Sequence, residues 1–234
     1  VPVEPHEACS LRIYAGLLCF VDALEVRMTR PILKPDRSYA FADYFELNYP
    51  TEEIVAEFGY QYALTRLPLP SGQIDINTER LQAALYKRLP AIALTSETAR
   101  REALVAPILF ELLDYLTLKI DIEYPVYVNE RLRGNIDYLL RSTQYCLVVE
   151  AKKADMEKGF TQLAVELIAM DHYLDASDTA LYGAVTVGDF WRFGVLLRQQ
   201  KAIYRDIESF RVPADLAALF RVLTGILQPA PPQP

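Results

Sequence analysis

Histidine is almost missing from this chain of 234 residues, which contains only His6 and His172. Acid–base and nucleophilic schemes built on histidine therefore have little material, and both histidines read as incidental. There is no GxSxG elbow and no GxxxxGK[ST] phosphate loop, so the sequence carries neither a hydrolase nucleophile turn nor a P-loop. The three cysteines, Cys9, Cys19 and Cys146, lack CxxC or any paired metal spacing. Neither a disulfide framework nor a structural zinc is indicated, and a reducing, cytoplasmic setting is expected. Positive charge is not in excess: 24 Lys and Arg face 31 Asp and Glu, a net charge of −7. That argues against a broad basic surface coating nucleic acid, while leaving room for a local basic site.

Long apolar runs are also lacking. Residues 13–21 form a nine-residue run preceded by Arg12, too short to span a bilayer and without a clear small-residue cleavage site. Residues 1–27 admit two readings, a weak signal-like segment or an upstream extension or poorly packed tail ahead of Met28; the second is expected here. No membrane association is expected. The closing PAPPQP, residues 229–234, reads as a polyproline or disordered tail. With 52% apolar and 24% charged residues, the remainder suits one globular domain with a sizeable core.

What is present is concentrated in residues 134–153, GNIDYLLRSTQYCLVVEAKK. An apolar run suited to a buried strand ends in Glu150, Ala151 and Lys152. Side chains alternate along a strand, so Glu150 and Lys152 share one face, while Val149 and Ala151 take the other. Two ionisable groups at the end of a core strand are costly unless compensated, and a metal ion with its substrate is one compensation. Asp137 sits in the preceding apolar run, and Arg141-Ser142-Thr143-Gln144 is the only polar break between the two runs, which reads as a hairpin. A pairing in which partner numbers sum to about 287 sets Asp137 opposite Glu150. A slip of one residue would separate them.

Along the chain, short helices are expected over 39–47 and 51–58, a strand over 60–67, and a helix over 77–89 capped by Asn77. These belong to an N-terminal elaboration, residues 28–94, packed on the core. A longer helix comes next over 97–118, kinked at Pro107. Strands are expected at 120–128, 133–140 and 145–151, then a helix at 157–174 with Phe160, Leu163, Ala164, Leu167 and Ile168 as its apolar stripe and Gln162, Glu166 and Tyr173 on its flank. Two more strands at 181–187 and 190–198 enclose a Gly188-Asp189 turn, with Trp191 and Phe193 filling the core. A last helix over 214–227 begins after Pro213 and packs outside the sheet. This is an α/β order, αβββαβ, with a central mixed sheet flanked by helices. Between Asn129 and Phe160, six basic residues face five acidic ones, as fitting for a solvated mixed-charge hairpin as for a phosphate-tracking surface.

An aspartate followed by Glu-x-Lys at the end of the next strand is a weak signal alone, and Glu150 with Lys152 is also what a plain strand-end ion pair looks like. Within this order, and with Gln162 on the next helix, residues 95–228 resemble the PD-(D/E)XK nuclease superfamily of the restriction-endonuclease-like fold. Asp137 is similar to the family's aspartate, Glu150 and Lys152 to its (D/E)XK. Gln162 is similar to the glutamine of the branch related to the N-terminal nuclease domain of type I restriction subunits. The segments SYAFADYFEL, SETARREALVAPILFELL, GNIDYLL, VVEAKK and LYGAVTVGDFWRFGVL resemble a narrower set of uncharacterised members common in cyanobacteria. Asn135-Ile136 stands where the superfamily's name implies proline.

The resemblance implies Mg²⁺-dependent phosphodiester hydrolysis, with Mn²⁺ as a substitute. Asp137, Glu150 and the Ala151 carbonyl would be metal ligands, because Mg²⁺ takes hard oxygens and keeps several waters. Lys152 would orient the attacking water, act as its base, or stabilise developing charge, and Gln162 would position neighbouring groups. One more acid from the preceding helix is implied, Glu102 preferred over Glu97, whose place at the helix start also suits the dipole. The expected partner is DNA, with RNA as a second, and the chain acts alone, as a homodimer or beside a separate specificity subunit. The alternative is a non-catalytic nucleic-acid-binding or assembly module that retains the fold.

Overall fold

Apolar runs of strand length pair into one mixed sheet of eight strands flanked by helices in a computed structural model that describes residues 31–73, 76–142, 146–152, 154–174 and 180–228. The expected extension over 1–27, the tail over 229–234 and most of the hairpin tip lie outside the described residues.

In chain order the elements are α1 (Phe41–Glu46), α2 (Thr51–Ala56), β1 (Gln61–Thr65), α3 (Glu79–Arg88) and α4 (Glu97–Arg100). A π-helical turn, Arg101–Val105, leads into α5 (Ala106–Glu111). Then come β2 (Lys119–Asn129), β3 (Leu132–Arg141), β4 (Cys146–Ala151), α6 (Met156–Tyr173), β5 (Ala180–Thr186), β6 (Phe190–Leu197), β7 (Ala202–Asp206), β8 (Phe210–Arg211) and α7 (Leu216–Leu227). The sheet runs β1-β7-β6-β5-β4-β3-β2, with β8 beside β6. The β1–β7 and β4–β5 pairs are parallel and the rest antiparallel. No helix among the described residues is long and apolar enough to cross a membrane.

The expected elements are present, with three differences. The helix over 97–118 runs on to Asp114 but changes its winding midway. Pro107 has no N–H to donate and its ring crowds the preceding turn, and the interruption falls just ahead of it as the π turn. The apolar stripe expected on α6 is instead a fully buried stretch from Gly159 to Met170. One side meets the sheet, and α1 and α2 cover the other, so its outer face never meets water. Third, β7 and β8 have no counterpart among the expected elements. The parallel pairing of β1 with β7 makes the N-terminal part an edge of the same sheet rather than a layer beside it.

The two larger cores among the described residues arise from the alternation of side chains. Val148, Leu163, Leu167, Ile168 and Val185 pack on the α6 face. Leu147, Val149, Ala151, Trp191 and Phe193 pack on the other, against α5 and α7. Trp191 and Phe193 are fully buried, and the turn before them places Gly188 at φ +93, a conformation that suits glycine.

Candidate functional site

The β3–β4 hairpin has the register that the alternation predicts. Tyr138 pairs with Val149, Leu139 with Val148 and Leu140 with Leu147, and one step further along the same register Asp137 faces Glu150. Val149 and Ala151 lie in the opposite core, so Glu150 and Lys152 emerge together on the α6 face. The ladder continues one bond past β4, with the Lys152 N–H donating to the Thr186 carbonyl at 2.7 Å. Because β4 and β5 are parallel, the chain must cross over between them, and α6 makes the crossing. That crossing carries Gln162 and Glu166 over the end of β4.

The contacts are close. Lys152 Nζ lies 2.5 Å from Glu150 Oε1, and the Gln162 amide donates to the same oxygen at 2.7 Å and to Glu166 Oε1 at 2.9 Å. The Ala151 N–H donates to Asp137 Oδ2 at 2.8 Å, while Arg101 Nη1 lies 3.4 Å from Asp137 Oδ1. Phe45 of α1 lies under the Lys152 ammonium, with Nζ 5.2 Å from the ring centroid. Gly159 leaves room for the lysine stem, since a Cβ there would sit 2.8 Å from Val185 Cγ2 and 3.1 Å from Lys152 Cγ.

Burial dominates the electrostatics. Glu150 is 1% exposed and Glu166 0%. Burial, then the negative charge of Asp137, pushes the Glu150 carboxyl up, and Lys152 opposes the rise. Burial, then Glu150, pushes Glu166 well above the carboxylate range. Glu166 has no cation beside it comparable to Lys152, so nothing of that kind opposes the rise of its carboxyl. Asp137 is also raised, by burial, against the Ala151 N–H and Arg101, which favour its charge. For Lys152, burial works against the ammonium, but the Glu150 carboxylate outweighs it and the net shift is upward. The resting lysine is therefore a cation and a donor. Glu150 Oε2, Gln162 Oε1 and Glu166 Oε2 are buried and have no hydrogen-bond partner.

The structure thus brings Asp137, Glu150, Ala151, Lys152 and Gln162 together. Glu102 is exposed, whereas Glu97 is near enough for its charge to raise both Asp137 and Lys152. Glu102 lies inside the π turn, whose wider winding rotates it relative to the α4 face that carries Glu97. Three contributors lie outside the expected set. Glu166 had a signal, because it is the only charge in the helical stretch TQLAVELIAM. Arg101 and Glu123 had none. Glu123 adopts φ +53 where the β2–β3 ladder skips from Ile122–Tyr138 to Tyr124–Ile136, opposite Asp137, and Arg101 Nη1 lies 3.3 Å from its Oε1. Backbone strain of this kind concentrates at functional sites.

The donor chemistry fits a hard divalent cation, with two carboxylates, the Ala151 carbonyl position and an orphaned Glu150 Oε2. Yet among the described residues no group of three or more His, Cys, Asp or Glu is placed to hold a metal ion. The chain's own Lys152 and Arg101 neutralise the two acids. Compared with known proteins, the chain matches no family model, no curated protein and no solved structure.

Proposed function

We propose that the chain is a Mg²⁺-dependent phosphodiesterase of the restriction-endonuclease-like fold, acting on DNA in preference to RNA. One observation carries this reading. Adjacent strands converge Asp137 and Glu150 beside a lysine bonded to one of them and a glutamine from the crossover helix. A plain ion pair at a strand end needs neither the second acid nor the buried glutamine. The order of a helix, three antiparallel strands, a crossover helix and a parallel strand supports the fold assignment.

Asp137, Glu150 and the Ala151 carbonyl would hold the cation. When bound, Mg²⁺ lowers the pKa of a coordinated water and screens charge on the phosphoryl oxygens. Lys152, paired with Glu150, would orient the attacking water and stabilise charge developing on the phosphate. Gln162 fixes the Glu150 carboxylate by donating to Oε1. Arg101, shared between Asp137 and Glu123, would be the second cation able to meet a phosphate oxygen.

A non-catalytic nucleic-acid-binding or assembly module is favoured by one feature, the neutralisation of both acids by Lys152 and Arg101. Purified protein incubated with supercoiled, linear and single-stranded DNA and with RNA, in Mg²⁺, Mn²⁺ or EDTA, separates the two. Metal-dependent cleavage abolished by Asp137→Ala and by Lys152→Ala supports the nuclease. Intact substrates throughout, with binding retained, overturn it in favour of the module.

A further inference from the structure

Two arginines on the α6 face of the sheet have no part in the site described above. Glu150 pairs with Val185, and Val185 pairs with Arg192, so Arg192 stands in the same cross-strand row as Glu150. Arg205 lies one strand further, paired with Gly194. Both guanidinium groups converge on Glu157 in the first turn of α6: Arg192 Nη1 lies 3.2 Å from Oε1, and Arg205 Nη1 contacts Oε2.

The three partners are unequally exposed. Arg205 is 5% exposed and stacks over Phe160 at 5.5 Å, whereas the Glu157 side chain is 64% exposed. Arg192 and Arg205 each keep a buried Nε with no hydrogen-bond partner. Burying a guanidinium is costly, and a structural role would call for a buried, fully bonded anion. Here two fixed cations share one carboxylate that reaches in from water and can rotate away. The surplus positive charge sits at the start of an 18-residue helix, whose dipole adds to it.

We propose that Arg192 and Arg205 form a subsite for a backbone phosphate of a nucleic-acid strand, and that Glu157 holds the phosphate's place in the free protein. This rests on the reading of Glu150 and Lys152 as the cleavage site. Arg192 is two strands from Glu150, about 10 Å at ~4.8 Å per strand. That corresponds to about three nucleotides of axial rise along one strand. A planar guanidinium pair suits a phosphate's oxygens better than a single carboxylate.

Fluorescence anisotropy of a labelled oligonucleotide with the full chain in EDTA tests the subsite without requiring cleavage. Arg192→Gln is expected to weaken binding roughly tenfold, the loss of one charge-assisted bond, and to make the salt dependence shallower by about one. Glu157→Ala is expected to tighten binding by roughly fivefold or more, because the competing anion is gone. Inorganic phosphate should compete against the wild type and more strongly against Glu157→Ala. Wild-type protein that binds no oligonucleotide, or an affinity unchanged in both variants with only a lowered melting temperature, would overturn the subsite. The outcomes separate the two readings. Metal-dependent cleavage with affinity unchanged in Arg192→Gln removes the subsite and keeps the nuclease, whereas binding that tracks the arginines without any cleavage keeps the subsite and removes the nuclease.

Discussion

Asp137 accepts the backbone N–H of Ala151 at 2.8 Å, so the acid of β3 is fastened to β4 between Glu150 and Lys152. A carboxylate held this way is part of the hairpin's structure as well as its chemistry. Asp137→Asn keeps an oxygen for that N–H, and its stability should stay within about 1 kcal/mol of wild type. Asp137→Ala orphans the N–H and leaves Arg101 with Glu123 as its one acidic partner, and should cost about 1–3 kcal/mol. Urea denaturation of the two variants checks this. Equal midpoints would show that the bond contributes nothing, and cleavage should be lost in both.

Lys152 is the only cation within bonding distance of Glu150 among the described residues. Lys152→Met preserves the stem but leaves a buried carboxylate unpaired, at a cost of about 2–4 kcal/mol. Adding Glu150→Gln to that variant should recover part of the loss, with a coupling of about 1–3 kcal/mol. A double-mutant cycle by thermal denaturation measures it. Additive losses would mean that the two side chains act independently.

If Glu166 holds its proton at neutral pH, Glu166→Gln replaces one neutral donor and acceptor with another. Stability at pH ~7 should change by less than about 1 kcal/mol, while Glu166→Ala should cost about 2–4 kcal/mol through a cavity and the loss of one of the two bonds that the Gln162 amide donates. A large loss in Glu166→Gln would show a charged residue instead. Calorimetry on both variants decides it.

The Tyr60 hydroxyl donates to Asp171 Oδ2 at 2.5 Å, and burial together with this bond raises its pKa above the ordinary tyrosine value. A raised acid favours the protonated folded state. Its contribution is therefore complete below pH ~10, where the unfolded tyrosine titrates, and is lost as the pH rises through the higher folded value. Tyr60→Phe should be less stable at neutral pH by about 1 kcal/mol, with the gap to wild type narrowing above pH ~10. Urea midpoints measured from neutral to strongly alkaline pH check the sign, and a gap that widened would reverse it.

The hairpin register was legible because a single polar break separates two alternating runs, leaving few ways to pair them. Gln162 is placed by its resemblance to the superfamily's glutamine on the helix that follows, and the crossover from β4 to β5 carries that helix over the strand end. Other parts were hidden by their letters. No element is expected over Ala202–Asp206, whose short apolar start runs into Arg205 and Asp206, yet both charged residues are buried within β7, Asp206 by accepting the Leu67 and Glu208 N–H groups. The choice of Glu102 over Glu97 rested on a regular helix, and the π turn at Arg101–Val105 breaks that regularity. The full burial of α6 depends on α1 and α2 closing over it. That is a tertiary fact, and the periodicity of α6 does not encode it.

The pairing of β1 with β7 also has a temporal side. β1 leaves the ribosome early, and its partner emerges only after the hairpin, the crossover helix and β5–β6 have been made. Until then that edge of the growing sheet stays open, whereas α1, which carries Phe45, already has its partners β3 and α6. Completion of the sheet should thus be a late event in folding, set by a contact between distant parts of the chain, and closure over the lysine can precede it.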